Sequence, residues 1–223
     1  MTPMPDDTHD RLGSMIDTLH AHESSAKQLP LPWPFAPADH QESTERSPTV
    51  FTIGHSNHDS AAFLALLRQH RLQTLFDVRS APYSRYAPHF SQGALAALLD
   101  EAGIRYLWVG EALGGRPADP ACYRDGIVRK GHVDYAVLAR QPSYQLGVQG
   151  LVAHAAGGPT VMMCSEEDPR RCHRHRLIEP SLRAHGFAVR HIRGDGMVET
   201  IDVVEMEEAV MPSPQLALMG FAG

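Results

Sequence analysis

Residues 161–174 read Val-Met-Met-Cys-Ser-Glu-Glu-Asp-Pro-Arg-Arg-Cys-His-Arg, and this stretch is the most informative about the fold. A short apolar run, Val161–Met163, is followed at once by two thiols, several carboxylates, an imidazole and three guanidinium groups. An apolar run that ends in polar residues marks the carboxyl end of a buried parallel strand, the edge at which open α/β sheets bind ligands. The stretch therefore predicts a parallel sheet with a functional site at the end of this strand.

The same succession of apolar run and amphipathic stretch recurs along the chain. Strands are predicted at Val50–Ile53, Thr74–Val78, Ile104–Val109, Thr160–Met163 and Phe187–Ile192. Helices are predicted from Asp59, around Leu95–Leu99, at Tyr144–Ala156 and at Pro169–His185, the last one interrupted by Pro180. This alternation predicts an α/β fold with a Rossmann-like, open, mainly parallel sheet and flanking helices.

Composition and charge divide the chain into three parts. Residues 1–48 are rich in proline and histidine and carry three basic against eight acidic side chains, which predicts a flexible acidic extension. The α/β domain is expected over residues 49–196, and residues 197–223 form an acidic tail that can add an edge strand. Between residues 49 and 194 there are 17 basic and 12 acidic side chains, although the whole chain has a net charge of -6. A basic domain favours an anionic ligand, but scattered surface arginines would give the same excess.

The bulk properties also bear on the compartment. The chain lacks any uncharged apolar stretch of membrane-spanning length and begins with an acidic, non-hydrophobic segment, so neither a membrane span nor a secretory signal is expected. Three cysteines form a sparse, odd set that differs from a disulfide framework. A cytoplasmic protein with reduced thiols is expected, and its oligomeric state is left open.

Each predicted strand is followed by a polar loop, and in a parallel sheet these loops share one edge. After the first strand, His55 is a proton carrier at neutral pH, whereas Asn57 either contacts a ligand or caps the following helix. The second loop contains Arg79, Ser84 and Arg85, whose guanidinium groups suit phosphate or carboxylate. Solvated arginines in an ordinary surface loop are the alternative.

The third loop combines Glu111 with the segment Gly114-Gly115-Arg116. Paired glycines allow backbone amides to approach an anion, but they also mark any tight turn. Cys122 follows in a loop and is interpreted as incidental.

The segment from Cys164 to Arg174 allows three interpretations. Cys164 is a nucleophile whose pKa is lowered by a helix amino end and nearby arginines. Alternatively, Cys164, Cys172 and His173 bind a soft metal, a possibility given less weight because their spacing is unusual for zinc. In the third interpretation, Glu166 makes acid–base or ribose contacts, His173 and Arg174 hold an anion, and the cysteines only pack.

Several ordered motifs together resemble the domain-of-unknown-function 488 (DUF 488) family over residues 50–196. The motifs are Thr52-Ile53-Gly54-His55-Ser56-Asn57, Asp77-Val78-Arg79-Ser80 with Pro82 and Ser84-Arg85, Leu113-Gly114-Gly115-Arg116, Cys164-Ser165-Glu166 through Pro169 to Cys172-His173-Arg174, and His191-Ile192. The resemblance implies a Rossmann-like α/β fold with these residues gathered at one end, and chemistry related to nucleotides or nucleic acids. It does not supply a known reaction.

These patterns favour a small enzyme that acts on a nucleotide, nucleoside or nucleic-acid-related phosphate. The predicted catalytic residues are Cys164, Glu166 and His55. The predicted anion- and substrate-binding residues are Arg79, Ser84, Arg85, Glu111, Arg116, His173, Arg174 and Asn57. The alternatives are a non-catalytic module that binds or senses an anionic ligand, and a thiol-redox or metal protein. A small anion or a nucleic-acid fragment is the expected partner, and the cofactor is unknown.

Overall fold

Six strands form one mostly parallel sheet in the computed structural model, which describes residues 47–201. The strands are β1 Thr49–Gly54, β2 Thr74–Asp77, β3 Arg105–Trp108, β4 Thr160–Cys164, β5 Ala188–Ile192 and β6 Val198–Glu199. Their order across the sheet is β3-β2-β4-β1-β5-β6. The first five strands are parallel, and β6 pairs antiparallel with β5 at the edge. The expected α/β class with a mainly parallel sheet is confirmed.

Helices connect the strands. They are α1 Ser60–Gln69, α2 Gln92–Glu101, α3 Gly110–Leu113, α4 Tyr135–Ala139, α5 Pro142–Ala155 and α6 Glu179–Ala184. Asp59 caps α1, since its carboxylate accepts a hydrogen bond of 2.7 Å from the backbone N–H of Ala62. Within residues 47–201, none of the helices has the length and apolar character needed to cross a bilayer.

Both faces of the sheet are covered by helices, as a parallel sheet requires. On one face, α1 and α2 bury a cluster with alternate strand residues, which includes Ile53, Phe63, Leu67, Leu75, Leu95 and Leu99. On the other face, His154 of α5 lies 3.0 Å from the hydroxyl of Thr74 and packs edge-on against Phe76. Because side chains alternate along β2, Leu75 and Phe76 belong to opposite cores.

The strand order creates the position for a site. Strand β4 lies between β2 and β1, and the chain leaves β2 toward β3 on one side but leaves β4 toward β5 on the other. Adjacent strands whose connections diverge leave a crevice at their carboxyl ends. The loops after β1, β2 and β4 meet at this crevice.

The segment predicted as a helix over Pro169–His185, kinked or split at Pro180, is divided nearer to its start. A 3-10 turn at Pro169–Arg171 ends at Cys172, whose backbone is extended, and a π-type turn at Arg174–Ile178 leads into α6. Pro180 lies in the first turn of α6, where its missing N–H costs little. The predicted extension up to residue 46 and the tail beyond residue 201 lie outside the described residues.

Candidate functional site

Backbone hydrogen bonds join the three loops at the crevice. The N–H of His55 donates to the carbonyl of Cys164 at 2.9 Å, that of Ser56 donates to Ser165 at 3.0 Å, and that of Val78 donates to Met163 at 3.1 Å. Gly54 permits the approach, because a Cβ there would lie 2.0 Å from the carbonyl oxygen of Glu166. The end of β1 and the loop after β4 therefore form one rigid unit.

A buried ion pair lies beneath the loop after β2. The side chain of Asp77 is fully buried and that of Arg79 is 4% exposed. Asp77 accepts hydrogen bonds from Nε of Arg79 at 2.8 Å and from Nη2 at 2.6 Å, and its Oδ2 also accepts from the hydroxyl of Tyr106 at 2.7 Å. Burial alone would lower the pKa of Arg79, but the hydrogen bonds and charge of Asp77 outweigh it and raise that pKa. Arg79 is thus charged and largely committed to internal partners.

His55 completes this network as a neutral imidazole. Its Nδ1 lies 2.9 Å from the carbonyl of Ser56 and must donate, so its Nε2 accepts from Nη1 of Arg79 at 3.2 Å. The ring stacks on Phe90 with a centroid distance of 4.4 Å. Burial lowers the pKa of His55 to about 4, and the charge of Arg79 acts in the same direction. Both ring nitrogens are therefore engaged, and the ring stays uncharged at neutral pH.

Cys164, Cys172 and His173 form a sulfur–imidazole cluster at the end of β4. Nε2 of His173 lies 3.1 Å from the carbonyl oxygen of Val78 and must donate to it, which leaves the lone pair of Nδ1 facing the sulfurs. Both Sγ atoms lie 3.8 Å from this Nδ1. Gly115 packs against the imidazole so closely that a Cβ would lie 2.6 Å from its Cγ. The carbonyl of Val78 and the close packing of Gly115 therefore fix the position of the imidazole.

The two thiols are electrostatically unequal. Their mutual hydrogen bond raises the pKa of Cys164 well above its ordinary value and lowers that of Cys172 well below it. The positive charge of Arg174 also lowers the pKa of Cys172. Cys172 is therefore the more acidic of the two thiols.

Arg174 acts as a clamp on the loop after β4. It is fully buried, and its two terminal nitrogens donate to the carbonyl oxygens of Glu166 and Glu167, the second at 2.6 Å. Within residues 47–201, its Nε has no hydrogen-bond partner. The position of Glu166 beside the cluster thus depends on Arg174.

Two cavities open at the crevice, separated by the loop after β4. The first cavity, of about 370 Å³, is lined by Arg79, Ser80, Ala81, Gly115, Arg116, Arg129, Tyr135, Cys164, Ser165, Glu166, Arg171, Cys172 and His173. The second cavity, of about 480 Å³, is lined by His55, Ser56, Asn57, Ser84, Tyr86, Ala87, Ser165, Glu166, Glu167, Asp168 and Arg171. Ser165, Glu166 and Arg171 line both.

The structure brings most of the predicted site residues to these cavities. The first contains Arg79, Arg116, Cys164, Glu166 and His173, and the second contains His55, Asn57, Ser84 and again Glu166. The remaining three predicted residues, Arg85, Glu111 and Arg174, line neither cavity. Ser84 also has a local role, because its hydroxyl accepts from the N–H of Ala87 at 3.1 Å.

Arg129, Tyr135, Arg171 and Tyr86 also line these cavities and were not among the predicted site residues. The sequence could have indicated Arg171 as a site residue, since it directly precedes Cys172 in the segment 161–174. Arg129 had no such signal, because it comes from the long connection between β3 and β4, in a backbone conformation with φ of 67°.

A second buried polar cluster lies between α6 and the sheet. Oε2 of Glu179 accepts a hydrogen bond of 2.7 Å from Nδ1 of His175, and Nε2 of His191 lies 3.0 Å from the same oxygen with a geometry too poor for a regular hydrogen bond. Oε1 accepts two hydrogen bonds from Arg183, at 2.9 and 2.7 Å. Nδ1 of His191 lies 2.7 Å from the hydroxyl of Thr52. This cluster joins α6 to the centre of the sheet.

Comparisons with known proteins support the motif-based assignment. Neither the curated proteins nor the solved structures include a match to the chain. A family model does match, over residues 59–180, and so covers more than half of the 223 residues. The protein therefore belongs to the family described as the domain of unknown function DUF488.

Proposed function

We propose that the protein is an enzyme acting on a nucleotide, or on another nucleic-acid-related phosphate, at the carboxyl edge of its sheet. Rossmann-like folds bind nucleotides at this edge. The observation that carries the proposal is the lining of the first cavity, where Arg116, Arg129 and Arg171 lie with a single carboxylate, Glu166, among residues 47–201. Guanidinium groups bind phosphate oxygens in pairs of hydrogen bonds. A negatively charged group fits this cavity.

The second cavity supports a nucleoside as the remainder of the substrate. Tyr86 is 90% exposed and lines this cavity, and the guanidinium carbon of Arg85 lies 5.9 Å from its ring centroid. An exposed aromatic ring beside an arginine offers a surface on which a base can stack. Asn57 and Ser84 add hydrogen-bonding groups. Because Arg171 lines both cavities, one substrate can extend from the first into the second.

Glu166 is the proposed acid–base group. Its side chain is exposed and lines both cavities, so it borders any substrate that spans them. Cys164 contributes a sulfur to the wall of the first cavity. His55 is assigned a positioning role, because its hydrogen bonds to Ser56 and Arg79 leave neither ring nitrogen free to exchange a proton with substrate.

A cytoplasmic location is part of the proposal. The three cysteines are free thiols, and Cys164 and Cys172 lie in the wall of the proposed active site. Thiols that must remain reduced suit a reducing compartment.

Isothermal titration calorimetry with inorganic phosphate, nucleoside monophosphates and short oligonucleotides tests the binding. A charge-assisted hydrogen bond contributes about 1.5–3 kcal/mol, so Arg116→Gln and Arg171→Gln should each weaken binding roughly 10- to 100-fold. Arg68→Gln is the matched control, because Arg68 is exposed on α1 and outside both cavities. Tyr86→Ala should weaken the nucleotide by about 1–3 kcal/mol and leave inorganic phosphate unaffected.

Turnover of the bound compounds tests the catalytic part. Glu166→Gln should lower kcat by about 10²- to 10⁴-fold with little change in Kd, as expected for loss of an acid–base group. Binding by the wild-type protein without turnover would favour the non-catalytic binding or sensor module. If no phosphate compound binds, or if Arg68→Gln weakens binding as much as Arg171→Gln, the proposed function is wrong.

A further inference from the structure

We infer that the sulfur–imidazole cluster binds one soft divalent metal ion of the Zn²⁺ class, with Cys164, Cys172 and His173 as ligands. Their three ligand atoms lie within 4.8 Å of one another. The metal site goes beyond the proposed function, because binding of the ion by these three ligands does not depend on activity toward a nucleotide or phosphate. Only the role of the metal toward a bound phosphate rests on that function.

The distances fit a tetrahedral centre. Zinc–sulfur bonds of about 2.3 Å and zinc–nitrogen bonds of about 2.0–2.1 Å place the sulfur and nitrogen ligands about 3.6 Å apart. The observed separation from each Sγ to Nδ1 is 3.8 Å. Shifts of a few tenths of an ångström would bring each sulfur–nitrogen separation to the tetrahedral value.

The imidazole is oriented as a metal ligand. Its Nε2–H donates to the carbonyl of Val78, which fixes the ring and leaves the Nδ1 lone pair toward the two sulfurs. Metal-binding histidines commonly donate their other N–H to a backbone carbonyl in this way. The histidine tautomer required for binding is therefore already selected by the fold.

The second cluster provides a contrast. Nδ1 of His175 lies 2.7 Å from a carboxylate oxygen of Glu179, to which it can only donate. Arg183 occupies the other carboxylate oxygen of Glu179. A metal ion would have to displace these hydrogen bonds, whereas the lone pair of His173 faces two sulfurs that are themselves metal ligands.

Charge and access are also suitable at the sulfur–imidazole cluster. Cysteine ligands release their protons when a metal binds, so two thiolates would offset the charge of a divalent ion, and the buried Arg174 nearby would face no added positive charge. All three ligands line the first cavity, which leaves a fourth coordination position on the cavity side. Three protein ligands with an open fourth position characterise catalytic rather than structural zinc sites.

Cobalt substitution of the reduced, full-length protein tests the site. After treatment with a chelator, Co²⁺ should bind with a stoichiometry of one and give a thiolate-to-cobalt charge-transfer band that Zn²⁺ removes. Cys164→Ser and Cys172→Ser should each lose the band. Cys122→Ser is the matched control, because Cys122 is also buried and free but lies outside the cluster, and it should keep the band. Cobalt bound at Glu179 would give no thiolate band.

Alkylation of the wild-type protein gives a second measurement that needs no variant to fold. Zn²⁺ should protect Cys164 and Cys172, but not Cys122, from a thiol reagent, as read by mass spectrometry. The inference is overturned if the reduced protein gives no thiolate band, or if the band survives in both cluster variants. It is also overturned in favour of thiol redox if mild oxidation joins Cys164 to Cys172 while the reduced protein binds no metal.

Inorganic phosphate added to the cobalt protein separates this inference from the proposed function. A change in the visible cobalt spectrum that is absent in Arg171→Gln would show that the anion reaches the fourth position. A thiolate band with a spectrum indifferent to phosphate would support the metal site and overturn its role toward the anion. Phosphate binding without any thiolate band would overturn the metal site alone.

Discussion

Replacing Asp77 by asparagine should destabilise the protein far more than an isosteric change normally does. Its carboxylate takes two hydrogen bonds from the guanidinium of Arg79 and one from the hydroxyl of Tyr106. Asparagine removes the charge and places an NH₂ donor on one side, where the neighbouring groups of Arg79 and Tyr106 are also donors. The buried cation of Arg79 then keeps the remaining amide oxygen, the carbonyl of Phe90 and the imidazole of His55 as partners, but it loses its counter-charge.

The expected magnitude follows from the burial of this pair. Breaking a buried ion pair by removing one partner costs about 3–5 kcal/mol, because an uncompensated charge stays inside the protein. With the two side chains 0% and 4% exposed, solvent screening offers little relief. A single domain has a total stability of about 5–15 kcal/mol, so the loss would consume a large fraction of it.

Urea denaturation at neutral pH, followed by circular dichroism, measures this loss. Asp100→Asn is the control, since Asp100 is exposed near the end of α2, and it should change the free energy of unfolding by less than about 0.5 kcal/mol. Combining Asp77→Asn with Arg79→Met removes the buried charge as well, so the double variant should be more stable than the sum of the single changes predicts. If Asp77→Asn unfolds within about 1 kcal/mol of the wild type, or if the two changes are additive, the ion pair does not stabilise the fold as argued.

Three further predictions concern other buried groups. Gly54→Ala should cost about 1–3 kcal/mol or more in urea denaturation, because its Cβ would meet the backbone of Glu166, whereas Gly93→Ala has open space and should be neutral or slightly stabilising. Burial alone would raise the pKa of Glu179, but hydrogen bonds from its partners lower that pKa below the ordinary value of 4.5. The ionised Glu179 therefore stabilises the fold above pH 4.5, and this stabilisation is lost as the pH falls through the lowered pKa. The stability difference between the wild type and Glu179→Gln should accordingly shrink in acid, and a constant difference from pH 7 to pH 3 would contradict this. NMR titration should find His55 neutral down to about pH 4, and a midpoint near 6.5 would contradict its buried placement.

The strands could be predicted from the sequence because each is a short apolar run that ends in a polar loop. All five predicted strands occur, with shifted ends. Their order could not be predicted, since the pattern of a run such as Thr160–Met163 does not reveal its neighbours. Only the register of β4 against both β1 and β2 brings Cys164 next to the loops that follow those strands.

The roles of the charged residues were harder to predict than their location. Arg79 looks like an anion-binding residue in the sequence, but its partner Asp77 lies two residues away in the same motif, a spacing that could have signalled an internal ion pair. Arg174 gives no such signal, because its partners are backbone carbonyls of the loop after β4. Side chains that bind carbonyls leave no trace in composition or spacing.

The division between buried and exposed motif residues determines which variants can report on function. His55, Arg79 and Arg174 hold the three loops together from inside, so their substitution would lower activity through the fold whatever the chemistry is. Arg171 and Glu166 are exposed and line both cavities, and neither is required to hold the loops through its side chain. Loss of activity with unchanged stability is therefore interpretable for the two exposed residues. For the three buried ones, a measured loss of activity identifies a function only when the free energy of unfolding is shown to be intact.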